Sequence, residues 1–253
     1  MPKKHDQIII RSLPNIPEVT SFSNVSILIS NSLDKNNIKL KNKDVLVITQ
    51  KIISKAENRL IHKNNITPSN RAIKLSKQIH KNVKLTQLIL DESKRIIKKK
   101  HGVVITETHH GFICANSGID QSNVPINYFC LLPINPDNSA KKIRLFLEKK
   151  YQIKISVIIS DTFGRPFRTG QIDVAIGVSG LSPLLSYKGK NDNYGRKINV
   201  TSIAIADELA SAAELLLCKT SNTPVALIRG YNYNANTKTS KSLIMPKNRS
   251  LFS

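Results

Sequence analysis

The chain has 253 residues and a formal net charge of +22, with 40% hydrophobic and 5% aromatic residues. This length can bury the core of one large domain or two small ones, and the composition excludes a disordered or fibrous protein. A charge of this size is typical of proteins that bind nucleic acid or an anionic surface, and a polyanionic small substrate is also compatible with it. Because the lysines are scattered over surface-type positions and accompany many asparagines and isoleucines, compositional drift explains the charge better, and we do not expect nucleic acid as a partner.

Cysteine usage and hydropathy indicate the compartment. Cys114, Cys130 and Cys218 lie far apart with no Cys-x-x-Cys pair, which is typical of reduced thiols inside the cell. No 18-residue apolar segment occurs, and the apolar run near the N-terminus is too short for a signal peptide. The sequence therefore predicts a cytoplasmic protein with no membrane partner.

The hydrophobic pattern predicts alternating strands and helices along the chain, with no internal repeat and no linker. In the first half, we expect a strand at Ile8–Ile10, a helix at Val25–Leu33, a buried strand at Val45–Ile48, a helix from a Ser69 cap to Ile79, a helix at Val83–Ile97 and a strand at Gly102–Thr108. In the second half, we expect a helix from an Asp137 or Ser139 cap to Lys150, strands at 155–159 and 174–178, a helix at Val200–Leu217 capped by Thr201 or Ser202, and a strand at Pro224–Arg229.

Polar residues follow the buried strand Val45–Ile48 directly, which is a common place for ligand binding in sheet-based enzymes. Gln50 and Lys51 come first, and Lys55 follows within the next turn of chain. Lys55 has the length and charge to reach a nucleotide phosphate. An ordinary surface lysine is the simpler interpretation of Lys55 alone.

The stretch from Ile155 to Gly180 has the highest density of chemically useful side chains. Asp161 and Thr162 lie at the predicted C-terminal end of a buried strand, and a glycine- and proline-rich turn with Arg165 and Arg168 follows. Carboxylates are hard oxygen ligands for Mg²⁺, and guanidinium groups bind phosphate through paired donors. We therefore predict that Arg165 and Arg168 clamp a phosphate or a carboxylate beside a metal ion, although a polar strand end with a solvated turn would leave the same pattern.

A second polar segment runs from His109 to Asn123. Its two adjacent histidines would point to opposite faces of a strand, so we interpret them as structural or as residues at the edge of a substrate. More informative is the glycine-containing loop that offers Asp120 together with amide side chains. Carboxylates from two separate loops commonly bind Mg²⁺ or Mn²⁺ with phosphate completing the coordination shell, so we expect Asp120 and Asp161 to converge.

Four long motifs occur in an order that resembles the coenzyme F420-0:L-glutamate ligase family, whose members add γ-linked glutamate to a deazaflavin cofactor. The motifs are Thr49–Glu57, Cys114–Asn123, Ser160–Arg168 and Ala204–Ala210. The similarity covers nearly the whole chain. It implies one catalytic unit spanning residues 1–253, an α+β fold of two unlike subdomains with mixed and antiparallel sheets, and an intertwined homodimer whose active sites lie near the subunit junction.

The resemblance also implies ligands and site residues. The family uses GTP, divalent metals (Mg²⁺ or Mn²⁺, two per site) and a monovalent cation, usually K⁺. The positions that match its metal ligands are Asp120, Asp161 and Thr162. The positions that match its nucleotide contacts are Leu13, Pro14, Asn15, Ile16, Gln50, Lys51, Lys55, Asn123, Lys219, Thr220, Ser221 and Asn222.

The chemistry that the resemblance implies is amide formation between L-glutamate and coenzyme F420-0. GTP would transfer its γ-phosphoryl group to the acceptor carboxylate, and the glutamate amine would attack the resulting acyl phosphate. Two alternatives remain open at the level of sequence. One is a related nucleotide-dependent ligase that acts on a different carboxylate, and the other is a non-enzymatic basic protein that binds nucleic acid.

Overall fold

The computed structural model describes residues 7–100 and 102–250. The α-helices are α1 (Val25–Lys35), α2 (Gln50–Ala56), α3 (Asn70–Ile79), α4 (Val83–Asp91), α5 (Pro136–Tyr151) and α6 (Ile205–Leu217). The strands are β1 (Ile9–Ser12), β2 (Val45–Thr49), β3 (Leu60–His62), β4 (Ser93–Lys100), β5 (Val103–Thr108), β6 (Ile113–Ala115), β7 (Tyr128–Cys130), β8 (Ser156–Arg165), β9 (Arg168–Leu181), β10 (Leu185–Ser186), β11 (Ser202–Ile203), β12 (Val225–Arg229) and β13 (Ala235–Asn236). Short 3-10 helices cover Lys63–Asn65, Asn116–Gly118, Ser240–Leu243 and Lys247–Arg249.

The largest sheet has six strands in the order β1-β12-β2-β8-β9-β13. Strands β2 and β8 are parallel, and the other neighbours in this sheet are antiparallel. The last rung between β2 and β8 joins Thr49 to Ser160. Strand β8 therefore extends beyond the end of β2 and forms, with β9, a long hairpin whose turn lies between Arg165 and Arg168.

Helices cover both faces of this sheet. On one face, Leu46 and Ile48 of β2 pack in a core with residues of α1, α2 and α5. On the other face, Val45 and Val47 pack with the apolar side of α6. Because successive side chains of a strand point to opposite faces, a strand that is apolar at every position is expected to be buried on both sides, as β2 is.

The segment from β3 to β7 forms a second, smaller unit with its own apolar clusters. One cluster contains Leu75, Ile79 and Ile89 of α3 and α4, and another contains Phe129 and Leu131. The antiparallel strands β4, β5 and β6 form one sheet of this unit, and β3 and β7 form another. The predicted α+β fold of two unlike parts with mixed and antiparallel sheets is thus confirmed, while the homodimer stays a prediction.

Three sequence predictions about helices were wrong. The helix expected at Val83–Ile97 ends at Asp91, and Ser93–Lys100 form a strand instead. The helix expected from Val200 begins at Ile205, because Ser202 and Ile203 pair with β10. Helix α5 is capped by neither Asp137 nor Ser139.

The cap of α5 is Asn135, whose side chain accepts a hydrogen bond from the Asn138 N–H at 3.0 Å. The cap predicted at Ser69 is confirmed, since its hydroxyl accepts a hydrogen bond from the Ala72 N–H at 3.2 Å. In the described part of the chain, no helix is both long and apolar enough to cross a membrane.

The outer edge of β9 is closed by side chains of α6. The N–H groups of Asp173 and Ala175 donate to Glu214 and Asp207, each at 2.9 Å, and Ser211 donates to the Asp173 carbonyl at 2.7 Å. Residues 207, 211 and 214 lie on one face of the helix because they are four and three positions apart. Helix α6 therefore holds the strand that forms one side of the cleft described next.

Candidate functional site

A cleft of about 620 Å³ opens where β2 ends and β8 continues with β9 as its only neighbour. Loops from the smaller unit and from the segment after α6 close its other sides. Most of the residues predicted to bind metal or nucleotide line this cleft. They are Ile16, Gln50, Lys51, Lys55, Asp120, Asn123, Asp161, Thr162, Lys219 and Asn222.

Five predicted nucleotide-binding residues do not line the cleft. Leu13 is fully buried in the core, and the Pro14 carbonyl accepts a hydrogen bond from Ser32 of α1. Asn15 donates to the side chain of Asn36. Thr220 and Ser221 lie in the exposed loop after α6, where the Ser221 hydroxyl bonds to the Leu217 and Cys218 carbonyls.

Arg165 and Arg168 lie at the turn of the β8–β9 hairpin, outside the lining of the cleft. The Arg165 guanidinium donates to the Thr169 carbonyl at 2.7 Å, while its Nε is buried and has no hydrogen-bond partner in the described residues. The sequence had placed Asp161 at a strand end, next to these arginines. This was wrong, because β8 runs through Asp161 and Thr162 and carries the arginines away along the hairpin.

Asp161 lies on β8 just past its last rung with β2. Burial raises the pKa of its carboxyl group to about 7. The charges of Asp173 and Asp120 also raise this pKa, whereas a hydrogen bond from the Thr162 backbone and the charge of Lys51 lower it. The arrangement therefore brings several carboxylates close enough to repel each other, and a bound cation would relieve this repulsion.

Asp173 is the main residue of the site that the sequence analysis missed. It is 5% exposed and lines the cleft from β9, opposite Thr162 in the strand register. Its carboxylate accepts hydrogen bonds from Ser160 Oγ at 2.8 Å and from Thr162 Oγ1 at 2.7 Å. Glu214 of α6 also lines the cleft and was missed. The available signal for Asp173 was an acidic residue directly before the apolar run 174–178, across a predicted turn from Ser-Asp-Thr.

Asp120 reaches the cleft from a loop of the smaller unit, which a single bridge to Cys130 anchors. Its Oδ1 accepts hydrogen bonds from the N–H groups of Gln121 and Ser122, at 2.6 and 2.8 Å. Its Oδ2 contacts the ammonium group of Lys51 and the Ser122 hydroxyl. Burial raises the pKa of the Asp120 carboxyl, but the hydrogen bonds from Lys51 and Ser122 outweigh it, and the pKa lies below its usual value.

The remaining contacts of the cleft involve the predicted nucleotide-binding residues. Gln50 is buried, and its Oε1 accepts a hydrogen bond from Ser54 at 2.7 Å. Its Nε2 is buried without a hydrogen-bond partner among the described residues, which is uncommon for a buried donor. Lys55 is paired with the exposed Glu18, and Asn123 donates to the Lys219 carbonyl at 2.8 Å. The last contact ties the two loops of the cleft together.

The donor set of the cleft suits a hard divalent cation that phosphate or water would complete. Within residues 7–100 and 102–250, no group of three or more His, Cys, Asp or Glu side chains is arranged to hold a metal ion alone. Asp120, Asp161 and Thr162 offer two carboxylates and one hydroxyl, all oxygen ligands. A cation bound by these three side chains alone would need further oxygen ligands, such as water or phosphate.

The histidines and cysteines take structural positions. His109 and His110 lie in a turn rather than in a strand, and their Nε2 atoms each lie 2.8 Å from a backbone carbonyl, of Asp91 and Pro133. All three cysteines are free, as the sequence predicted. Burial raises the pKa of the Cys114 and Cys130 thiols, to about 12 and about 11, which disfavours their thiolate forms.

Comparison with known proteins adds independent information. The family model described as F420-0:gamma-glutamyl ligase matches residues 14–230. A coenzyme F420:L-glutamate ligase of Methanocaldococcus jannaschii is 46% identical over 210 residues, which is 83% of this chain and 84% of that protein. Proteins of the same name from Methanococcus maripaludis and Methanothermobacter thermautotrophicus are 45% and 42% identical, over 84% and 85% of this chain and 86% of each relative.

Proposed function

The chain belongs to the F420-0:gamma-glutamyl ligase family, and on this premise we propose that it joins L-glutamate to coenzyme F420-0 in a reaction driven by GTP. The observation that carries the proposal is the cleft itself. It gathers Asp120 and Asp161 from distant parts of the chain and sets them beside most of the positions that match the family's nucleotide contacts. The further glutamates would be added to the first product by the same chemistry.

A carboxylate and an amine do not condense in water unless the acid is first activated. The acceptor carboxylate attacks the γ-phosphorus of GTP, the bond to GDP breaks, and an acyl phosphate forms. The deprotonated glutamate amine then attacks the acyl carbon, and phosphate leaves as the amide forms. The protein's part is to position the groups and to neutralise the charge that spreads over the transferring phosphoryl oxygens.

We propose that Asp120, Asp161 and Thr162 hold Mg²⁺ or Mn²⁺ in this cleft. The bound ion would supply Lewis-acid stabilisation of phosphoryl oxygens, and the phosphate would complete its shell. Two such ions per site and a K⁺ ion are also proposed, from the resemblance alone. The oxygen-only donors and the mutual repulsion of the carboxylates support a cation at this place.

The nucleotide would bind along the side of the cleft formed by Gln50, Lys51 and the loop that contains Lys219 and Asn222. The buried and unpaired Nε2 of Gln50 provides a donor for the base or a phosphate, and Lys51 provides a cation near the metal ligands. Lys55 would have to leave Glu18 in order to reach a phosphate. That exchange is easy because Glu18 is largely exposed.

The proposed clamp of Arg165 and Arg168 on a phosphate or carboxylate depends on the homodimer that we also propose. Neither arginine lines the cleft of its own protomer, and both lie at the end of a long hairpin, where Arg168 is exposed. A second protomer would have to bring its substrates to this hairpin. Loss of activity in an Arg168→Ala variant that remains dimeric would support the clamp.

The test is incubation of the protein with GTP, Mn²⁺, L-glutamate and coenzyme F420-0, followed by mass measurement. We expect the acceptor to gain the mass of one or more glutamate residues, with GDP release that requires both acceptor and glutamate. Replacement of GTP by ATP in a parallel reaction tests the nucleotide preference. An unchanged acceptor, with a wild-type protein that binds GTP and Mn²⁺, would contradict the proposed substrate and favour a ligase for another carboxylate.

A further inference from the structure

We propose that Asp173 is a positioning residue for the cation of the cleft. It orients the Thr162 hydroxyl so that the oxygen lone pairs, and not the proton, face the cation. This inference rests on the proposed function, because it assumes that Thr162 meets a divalent ion there. It adds a residue that lies on a different strand from the three proposed ligands. Asp173 acts on the ion through Thr162 and needs no bond to it.

The hydroxyl proton of Thr162 has a defined direction. Thr162 has one hydroxyl proton, and its Oγ1 lies 2.7 Å from Asp173 Oδ1. A carboxylate can only accept hydrogen bonds, so the proton of Thr162 must point at Asp173. The lone pairs of Oγ1 are then left for a ligand in the cleft, which Thr162 lines. A cation needs such a lone pair, and a proton in its place would repel it.

The Asp173 carboxylate is itself held in one orientation. Its other oxygen, Oδ2, accepts a hydrogen bond from Ser160 Oγ at 2.8 Å, so both oxygens have a fixed partner on β8. The side chain is 5% exposed, which limits competition from bulk water. A buried carboxylate with two short hydroxyl donors keeps one rotamer, and its hold on Thr162 is therefore directional.

Helix α6 supports the backbone of Asp173. Its N–H donates to Glu214 Oε2 at 2.9 Å, and its carbonyl accepts from Ser211 Oγ at 2.7 Å, both from α6. Across the hairpin, Asp173 pairs with Thr162 itself in the strand register. The backbone at Asp173 is thus fixed by α6, which carries none of the proposed metal ligands, and by β8, which carries Asp161 and Thr162.

The experiment is a double-mutant cycle on Mn²⁺ affinity, with free Mn²⁺ measured by electron paramagnetic resonance in titrations of the full chain. The variants are Asp173→Ala, Thr162→Val and their combination. Valine keeps the shape of threonine and removes the hydroxyl. We expect Asp173→Ala to weaken Mn²⁺ binding by about 10- to 100-fold, as loss of a residue that orients a ligand does. In the Thr162→Val background, the same change should weaken binding less than about threefold.

The matched control is Asp207→Asn, which removes another carboxylate charge beside β9, because Asp207 accepts a hydrogen bond from the Ala175 N–H and does not line the cleft. It should leave Mn²⁺ affinity within about threefold of wild type, even where its unfolding midpoint falls. Circular dichroism confirms the fold of every variant. Equal weakening by Asp173→Ala in both backgrounds would overturn the proposal, because Asp173 would then act by its charge or through another ligand.

The failure of this inference can be distinguished from failure of the proposed function. A wild-type protein that ligates glutamate and binds Mn²⁺, with an Asp173→Ala variant of unchanged Mn²⁺ affinity, refutes the role of Asp173 alone. A folded Thr162→Val variant with wild-type Mn²⁺ affinity also refutes it, since there would be no ligand to orient. A wild-type protein that neither binds Mn²⁺ nor ligates glutamate refutes the proposed function itself.

Discussion

The cleft has two walls of different construction. The strand wall consists of residues 160–162 of β8 with Asp173 of β9, and the loop wall consists of residues 120–123 and 219–222. Ladder hydrogen bonds of a sheet covered on both faces hold the strand wall in place. The loop wall depends on side-chain contacts, chiefly Lys51 to Asp120 and Asn123 to Lys219.

The two walls hold their carboxylates in different ways. A carboxylate on a covered sheet has a fixed geometry but loses contact with water. This loss of hydration disfavours the charged form, and the pKa of Asp161 is raised for that reason. A carboxylate on a loop is better solvated and can follow a ligand, and Asp120 is compensated by Lys51. We therefore expect changes in the strand wall to affect chemistry more than stability, unless they alter backbone packing.

The largest effect is expected for Asp161→Asn. It removes a proposed metal ligand and should lower GDP release that depends on acceptor and glutamate by about 10²- to 10³-fold. The unfolding midpoint should stay the same or rise, because the variant no longer buries a charge. Steady-state GDP release and thermal unfolding measure the two quantities. Full turnover by the folded variant would refute the metal role of Asp161.

Backbone packing behind the strand wall gives the next largest effect. A Cβ atom on Gly177 of β9 would lie 2.6 Å from the backbone of Pro136, so Gly177→Ala must displace β9 or the start of α5. We expect a loss of about 1–3 kcal/mol in the free energy of unfolding, measured with urea. Gly164→Ala, in the same hairpin, is the control, because a Cβ there meets no atom within 4 Å. Equal stability of the two variants would contradict the described packing.

The smallest effects are expected for the two lysines of α2 that line the cleft, and these lysines can be compared directly. Lys51 and Lys55 lie one turn apart on α2 and both line the cleft, but Lys51 pairs with Asp120, whereas Lys55 pairs with Glu18, whose side chain is 76% exposed. Lys51→Met should cost about 1 kcal/mol of unfolding free energy and Lys55→Met less than about 0.5 kcal/mol. Chemical denaturation of both variants checks the order, and the reverse order would argue against the Lys51–Asp120 contact.

The sequence predicted the buried strands better than it predicted how those strands pair. The buried strand at Val45–Ile48 followed from an apolar run that stops at polar residues, whereas the strand expected to end at Asp161 continues to Arg165. Asp173 was missed because its role depends on the hairpin register, which sets it opposite Thr162. The register cannot be read from a local pattern, because β8 has ten residues, β9 has fourteen, and the pairing shifts at two irregular positions.

The errors in helix prediction have similar causes. Ile96 continued the apolar spacing of α4, but the chain turns at Glu92, and a bulged pairing with β5 takes over. Thr201 and Ser202 are good capping residues, yet pairing of Ser202 with β10 fixes them in extended structure. The arginines at 165 and 168 were placed beside Asp161 by closeness in sequence, while an extended hairpin carries them away. In each case long-range pairing overrides a correct local signal.

The central claim is that Asp120 and Asp161, far apart in the chain, bind one shared cation beside the nucleotide phosphates. Its most direct test is a crystal structure of the protein with GDP and Mn²⁺, in which anomalous scattering locates the manganese. The account predicts an Mn²⁺ peak within coordination distance, about 2.0–2.2 Å, of a carboxylate oxygen from each of these residues. A nucleotide in the cleft with manganese bound elsewhere, or with either carboxylate out of reach of it, would contradict the account.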